Sequence, residues 1–124
     1  MKKRIVALAL LFALLTAFAS TSYAITVTPY GSSNVDGGLV YVSGNTHILW
    51  GSGFGVAERK TVTSTLYLYS GGEWKSVTST STTGYTASVD TSMYITITTS
   101  GSYKVVATCT TATGTATCYR YYNI

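Results

Sequence analysis

Beyond residue 24 the apolar positions recur at every second residue, and no apolar repeat of helical period is present. In Thr65-Leu66-Tyr67-Leu68-Tyr69 the two leucines fall on one side of an extended chain and the two tyrosines on the other. Thr, Tyr, Val and Ser dominate, in β-branched and aromatic runs punctuated by glycine pairs, which describes an all-β domain. The pattern predicts strands at Ile25 to Thr28, Leu39 to Ser43, Thr46 to Trp50, Phe54 to Ala57 and Thr63 to Tyr69. Further strands are predicted at Glu73 to Ser79, Thr86 to Val89, Tyr94 to Thr98, Tyr103 to Thr110 and Thr115 to Tyr122. These are too many for one sheet in a chain this short, so the expected architecture is a two-sheet antiparallel β-sandwich.

The first 24 residues follow a different pattern. Lys2, Lys3 and Arg4 precede an apolar run from Ile5 to Leu15, and the segment closes on Ser22-Tyr23-Ala24, with small residues one and three positions before the cut. A charged start, a short apolar run and such a close are what a signal peptidase reads. The run is shorter than the roughly 20 residues of a membrane span. Cleavage is expected after Ala24, because Ile25 opens an alternating segment; a cut after Ala19 is the alternative. The expectation is a leader at 1–24, a single domain at 25–124 with no transmembrane segment in the mature form, and a secreted, extracellular location. Removing the leader also changes the charge. The whole chain carries +4, but Arg59, Lys60, Lys75, Lys104 and Arg120 against Asp36, Glu58, Glu73 and Asp90 leave the mature domain at only +1. No basic stripe remains to neutralise phosphates, which argues against nucleic acid as a partner.

Three turns set registers. Gly71-Gly72 in Ser70-Gly71-Gly72-Glu73 accept positive φ and close a tight hairpin that faces Tyr69 with Trp74 and turns Leu66, Leu68 and Val77 to the core side. Ser43-Gly44-Asn45-Thr46 has glycine where a type II′ turn requires it and sets His47 across from Val42. Thr113-Gly114, read as a two-residue loop, pairs Ala112 with Thr115 and Cys109 with Cys118 at a non-hydrogen-bonded site, where Cα atoms lie roughly 4.5 Å apart. In an oxidising destination this predicts a disulfide between Cys109 and Cys118. Two thiols and the single His47 supply too few ligands for a zinc motif, so neither a metal nor another cofactor is expected. Gly51-Ser52-Gly53-Phe54-Gly55 lacks the Lys and the following helix of a phosphate loop and reads as a bend between strands.

The stretch Thr99-Ser100-Gly101-Ser102-Tyr103-Lys104-Val105-Val106-Ala107 resembles the sixth strand of immunoglobulin-like and fibronectin-type sandwiches, where Gly-x-Tyr-x-apolar-x-Ala is common. The resemblance implies an immunoglobulin-like sandwich in which Tyr103 is a tyrosine corner, its hydroxyl returning to the backbone a few residues upstream. Val105 stands where antibody domains carry a cysteine, so the likeness is to the architecture. More widely, Thr65-Leu66-Tyr67-Leu68-Tyr69, Gly72-Glu73-Trp74-Lys75-Ser76-Val77 and Gly101-Ser102-Tyr103-Lys104-Val105 together resemble small secreted proteins of Gram-positive Firmicutes with a β-rich domain of unknown function. That likeness implies a leader and a β-rich body, and no assigned activity or site.

Hydrolysis needs an oriented nucleophile with a base, or converging carboxylates. One histidine, four acids and no Gly-x-Ser-x-Gly elbow point away from an enzyme. The aromatic residues are the stronger candidates. Tyr67, Tyr69 and Trp74 form an expected flat platform on the outer face of one hairpin, and Tyr119, Tyr121 and Tyr122 crowd the last strand. Exposed aromatic strips stack on sugars or anchor protein partners; equally, cross-strand aromatic pairs stabilise a sheet. The Thr-x-Thr stretches at Thr61 to Thr65 and Thr96 to Thr98 read as solvent-facing alternation, or as hydroxyl ladders toward ice, glycan or another copy of the strand. The expected function is a non-enzymatic binding module for a cell-wall glycan, another cell-envelope polymer or a protein. The alternatives are a bacteriocin-like antagonist, which +1 supports poorly as a membrane-active agent, and a self-assembling matrix subunit joined through strand edges.

Overall fold

The computed structural model describes residues 23–28 and 33–124; of the expected leader at 1–24, residues 1–22 lie outside the described residues. Eight strands follow one another: β1 (Tyr23–Thr28), β2 (Ser33–Ser43), β3 (Thr46–Gly55), β4 (Lys60–Ser70), β5 (Glu73–Gly84), β6 (Ser88–Thr96), β7 (Ser102–Thr111) and β8 (Gly114–Asn123). Among the described residues no helix is long and apolar enough to cross a membrane. All pairings are antiparallel, in a five-stranded sheet of order β1-β8-β7-β4-β5 and a three-stranded sheet of order β2-β3-β6. Hairpins β2–β3, β4–β5 and β7–β8 each stay within one sheet, while the chain changes sheet from β1 to β2, β3 to β4, β5 to β6 and β6 to β7. The result is an immunoglobulin-like β-sandwich. Ala24, the expected cleavage position, lies in β1 opposite Arg120 of β8.

Alternate residues of β3, β4 and β7 are buried, as a strand with one face on a core requires. The core divides along the strands into a small-residue end, with Val35, Val62, Ala107 and Cys109, and a bulkier end, with Leu39, Leu49, Leu66, Val105 and Tyr122. The small end explains why two predicted breaks are absent. Thr46 to Trp50 and Phe54-Gly55 belong to the single strand β3, which runs straight through Gly51-Ser52-Gly53, and Val56 and Ala57 lie beyond its end. Gly53 faces the opposite sheet so closely that a Cβ there would lie 2.6 Å from Cys109 Sγ and 2.7 Å from a Val62 methyl. The glycines serve inter-sheet approach rather than a bend. For the same reason β2 begins at Ser33, well before Leu39, and carries Gly37 directly against Ala107. The predicted strands Thr86 to Val89 and Tyr94 to Thr98 are likewise joined in part: Ser88-Val89 and Tyr94 to Thr96 belong to one strand, β6, which pairs with β3 without interruption from Ser88 to Thr96, and Thr86, Ala87, Ile97 and Thr98 lie outside it.

The Gly71-Gly72 hairpin has both glycines at positive φ (62° and 83°) and sets Tyr69 opposite Trp74. A bulge then intervenes: Tyr67 faces Ser76 and Leu66 faces Thr78. Val77 is the extra residue, and it is 53% exposed rather than part of the core. A second bulge between Tyr41 and Ser43 sets His47 opposite Tyr41, not Val42.

The expected disulfide is absent, and the cause is again register. Thr111 pairs with Gly114, so the β7–β8 loop is Ala112-Thr113. The Thr111 hydroxyl accepts from the Thr113 N–H at 3.3 Å and lies 3.0 Å from the Thr113 hydroxyl, and Gly114, at φ 146°, pairs with Thr111 instead of sitting in the loop. Cys109 therefore faces Ala116, and Cys118 faces Ala107. The two cysteines are diagonal neighbours on the core face, where Cα separations of roughly 7–8 Å are usual and a bridge would require backbone movement. Both are buried and they are not joined.

His47 is 3% exposed. Its Nδ1–H donates to the Asn45 carbonyl at 3.2 Å, and its ring meets Tyr41 edge-on at 5.5 Å. Burial holds its pKa below the ordinary imidazole value, against the smaller opposing effect of the Asn45 carbonyl. Because the folded pKa is the lower one, this residue's contribution to stability is complete above the unfolded value of about 6.5. It is lost as pH falls from there through the folded value. Melting temperature is expected to decline on acidification from pH 7 toward 5, and His47→Leu should flatten that decline; an unchanged slope in the variant would assign it to other groups.

Candidate functional site

The outer face of the five-stranded sheet brings together residues from four strands. Register places Tyr67 of β4 beside Lys104 of β7, and Lys104 beside Tyr121 of β8, in one row across the sheet. Trp74 of β5 pairs with Tyr69 at a centroid distance of 5.1 Å and reaches across the intervening strands to Tyr121 at 5.9 Å. The Lys104 ammonium sits 4.8 Å from the Trp74 ring centroid and 5.0 Å from that of Tyr67. Four aromatic rings and one cation thus form a continuous cluster, with Tyr69 48% exposed at its rim.

The cluster is not the flat platform expected from the hairpin. Its rings meet at 62° and 59°, the edge-to-face and tilted arrangements that aromatic quadrupoles favour. Its ridged surface exposes edges as well as faces. The last-strand tyrosines separate by parity. Tyr121 joins the cluster, and Tyr119 lies half-buried in the adjoining row beside Val106. Tyr122 points inward, is buried, and its hydroxyl accepts the Leu39 N–H at 2.9 Å across the sheet interface, so it is a core residue and not part of a ligand surface. Tyr103 is also buried; its hydroxyl donates to the Thr99 carbonyl, four residues upstream, at 2.6 Å.

Beyond the aromatic cluster the same face becomes a field of hydroxyls. Across β4 and β5, Thr61 pairs with Thr83, Thr63 with Ser81 and Thr65 with Ser79, at 2.9, 2.9 and 3.2 Å. Across β7 and β8, Thr110 pairs with Thr115 at 3.0 Å. Thr108 and Thr117 continue the lattice. Strand geometry spaces these columns about 4.8 Å apart, and no charged side chain stands among them.

The chain matches no protein-family model, no curated protein and no solved structure.

Lys104 is the functional candidate that sequence reasoning overlooked. It is a charge at an outward position of an otherwise uncharged strand, but only the pairing of β4 with β7 shows that it meets Tyr67. A second feature is an apolar row on the outside of the three-stranded sheet, where Val40, Ile48 and Tyr94 align; Tyr94 is 72% exposed. An ion pair joins the two sheets. Arg120 donates to Asp36 at 2.9 Å, joining β8 to β2. The neighbouring Cys118 thiol donates weakly to the same carboxylate, and burial, followed by that negative charge, raises its pKa and keeps it protonated. Among the described residues no group of three or more His, Cys, Asp or Glu side chains is placed to hold a metal ion.

Proposed function

We propose that the mature chain is a secreted, non-enzymatic module that binds a neutral cell-envelope glycan on the outer face of its five-stranded sheet. The observation that carries this reading is the cluster of Tyr67, Tyr69, Trp74 and Tyr121 around Lys104. Aromatic faces take the C–H face of a sugar ring, and a cation held between them donates to hydroxyl or carbonyl oxygens. The uncharged hydroxyl field alongside suits an extended polyhydroxylated ligand, because its groups both donate and accept. The small mature charge, +1, favours a neutral polymer over a polyanion.

Retention of the secreted protein on isolated cell wall and on insoluble polysaccharide tests the reading. Trp74→Ala is expected to abolish retention, and Lys104→Met to weaken it severalfold. Tyr94→Ala, which removes the most exposed aromatic on the opposite sheet, is expected to leave it unchanged. Retention that survives Trp74→Ala, or that is lost with Tyr94→Ala instead, would move the binding surface to the other face.

A further inference from the structure

We infer that the free edge of β5 is a self-association surface, and that its partner is the β5 edge of a second copy of this chain. Among the described residues β5 is the terminal strand of its sheet, and one side of its backbone has no ladder partner. Such an edge is a template for another strand, and folded proteins usually blunt it with charge, proline, brevity or a covering element. Other edges here carry such devices. β6 has the exposed Asp90; β2 has Asp36 and a bulge near its end; β1 is short, six residues, and is bulged between Ala24 and Thr26. β5 has its bulge at Val77 and is then regular against β4 from Thr78 to Gly84, seven residues with neither charge nor proline.

Self-pairing is the occupant this segment fits. Antiparallel strands related by a two-fold axis at Ser81 oppose Ser79 to Thr83 and Ser81 to its own copy. The outward hydroxyls of both copies stay on one face, and the Ser/Thr pairs seen between β4 and β5 repeat across the new junction. No like charges meet, since the segment has none. The two sheets become one of ten strands with an aromatic cluster toward each end of a shared face. An edge pairing of this length is small beside the roughly 1,200 Å² of a stable complex, so the association is reversible and concentration-dependent. It does not depend on the glycan reading.

Sedimentation velocity of the secreted protein from micromolar to millimolar concentration is expected to show monomer–dimer exchange. Ser81→Lys places like charges opposite each other at the axis and should weaken dimerisation roughly tenfold or more; Ser81→Glu should do the same. An equimolar mixture of the two variants should recover the dimer. Thr63→Lys, one strand inward on the same face, should leave it intact. A monomer at every concentration, equal effects of Ser81→Lys and Thr63→Lys, or a mixture that fails to recover would each overturn the inference.

Discussion

Gly37→Ala is expected to cost about 3 kcal/mol or more, a large share of the roughly 5–15 kcal/mol that holds a domain folded. A Cβ at Gly37 would stand 2.4 Å from the Ala107 Cβ and 2.9 Å from the Trp50 carbonyl oxygen. Neither contact is tolerable, and neither neighbour is a flexible side chain that can swing aside. The sheets would have to separate at the small-residue end of the core, losing contacts around Val35 and Val62. For a domain of this size the melting temperature falls by roughly 4–8 °C per kcal/mol. Pairing the change with Ala107→Gly removes the nearer obstacle, so the double variant should recover most of the loss while the Trp50 carbonyl retains some strain. A double-mutant cycle on denaturant midpoints measures that coupling. If Ala107→Gly merely adds its own cost, about 0.5–1 kcal/mol for glycine in a strand, the close approach of the sheets is not what Gly37 protects.

The same glycines mark the limit of what alternation reveals. Leu66, Tyr67, Leu68 and Tyr69 announce their faces because bulky residues alternate with one another, and the Gly71-Gly72 turn, with both residues at positive φ, sets Tyr69 against Trp74. Gly51 and Gly53 have no side chain to report a face. In sequence they look like a bend; in the fold they are the inward positions of a straight strand. The last hairpin hides its register because Gly114, at φ 146°, opens β8 rather than sitting in the loop, which the Thr111 hydroxyl closes. One position of displacement there separates Cys109 from Cys118. The aromatic cluster is half legible for a related reason. Tyr69 and Trp74 meet through a local turn, whereas Lys104 and Tyr121 arrive through pairings between distant parts of the chain that no local pattern encodes.

Tyr122→Phe is expected to lower stability by about 1–3 kcal/mol, the cost of a buried donor left without its acceptor, and to leave polymer retention unchanged. The Leu39 N–H lies in an edge strand of the three-stranded sheet, and its hydrogen bond to the Tyr122 hydroxyl at 2.9 Å ties that strand to β8 of the other sheet. Phenylalanine keeps the ring in the cluster with Leu39, Leu49 and Val105, so packing is preserved and only the hydrogen bond is lost. The neighbouring Tyr121 is the contrast. It points the other way and touches Trp74, so Tyr121→Ala should reduce retention, at a stability cost of about 0.5–1.5 kcal/mol for one half-buried aromatic pair. Denaturant midpoints and cell-wall retention on both variants separate the two roles. Loss of retention in Tyr122→Phe at unchanged stability would show that the last strand presents its tyrosines to a ligand regardless of face.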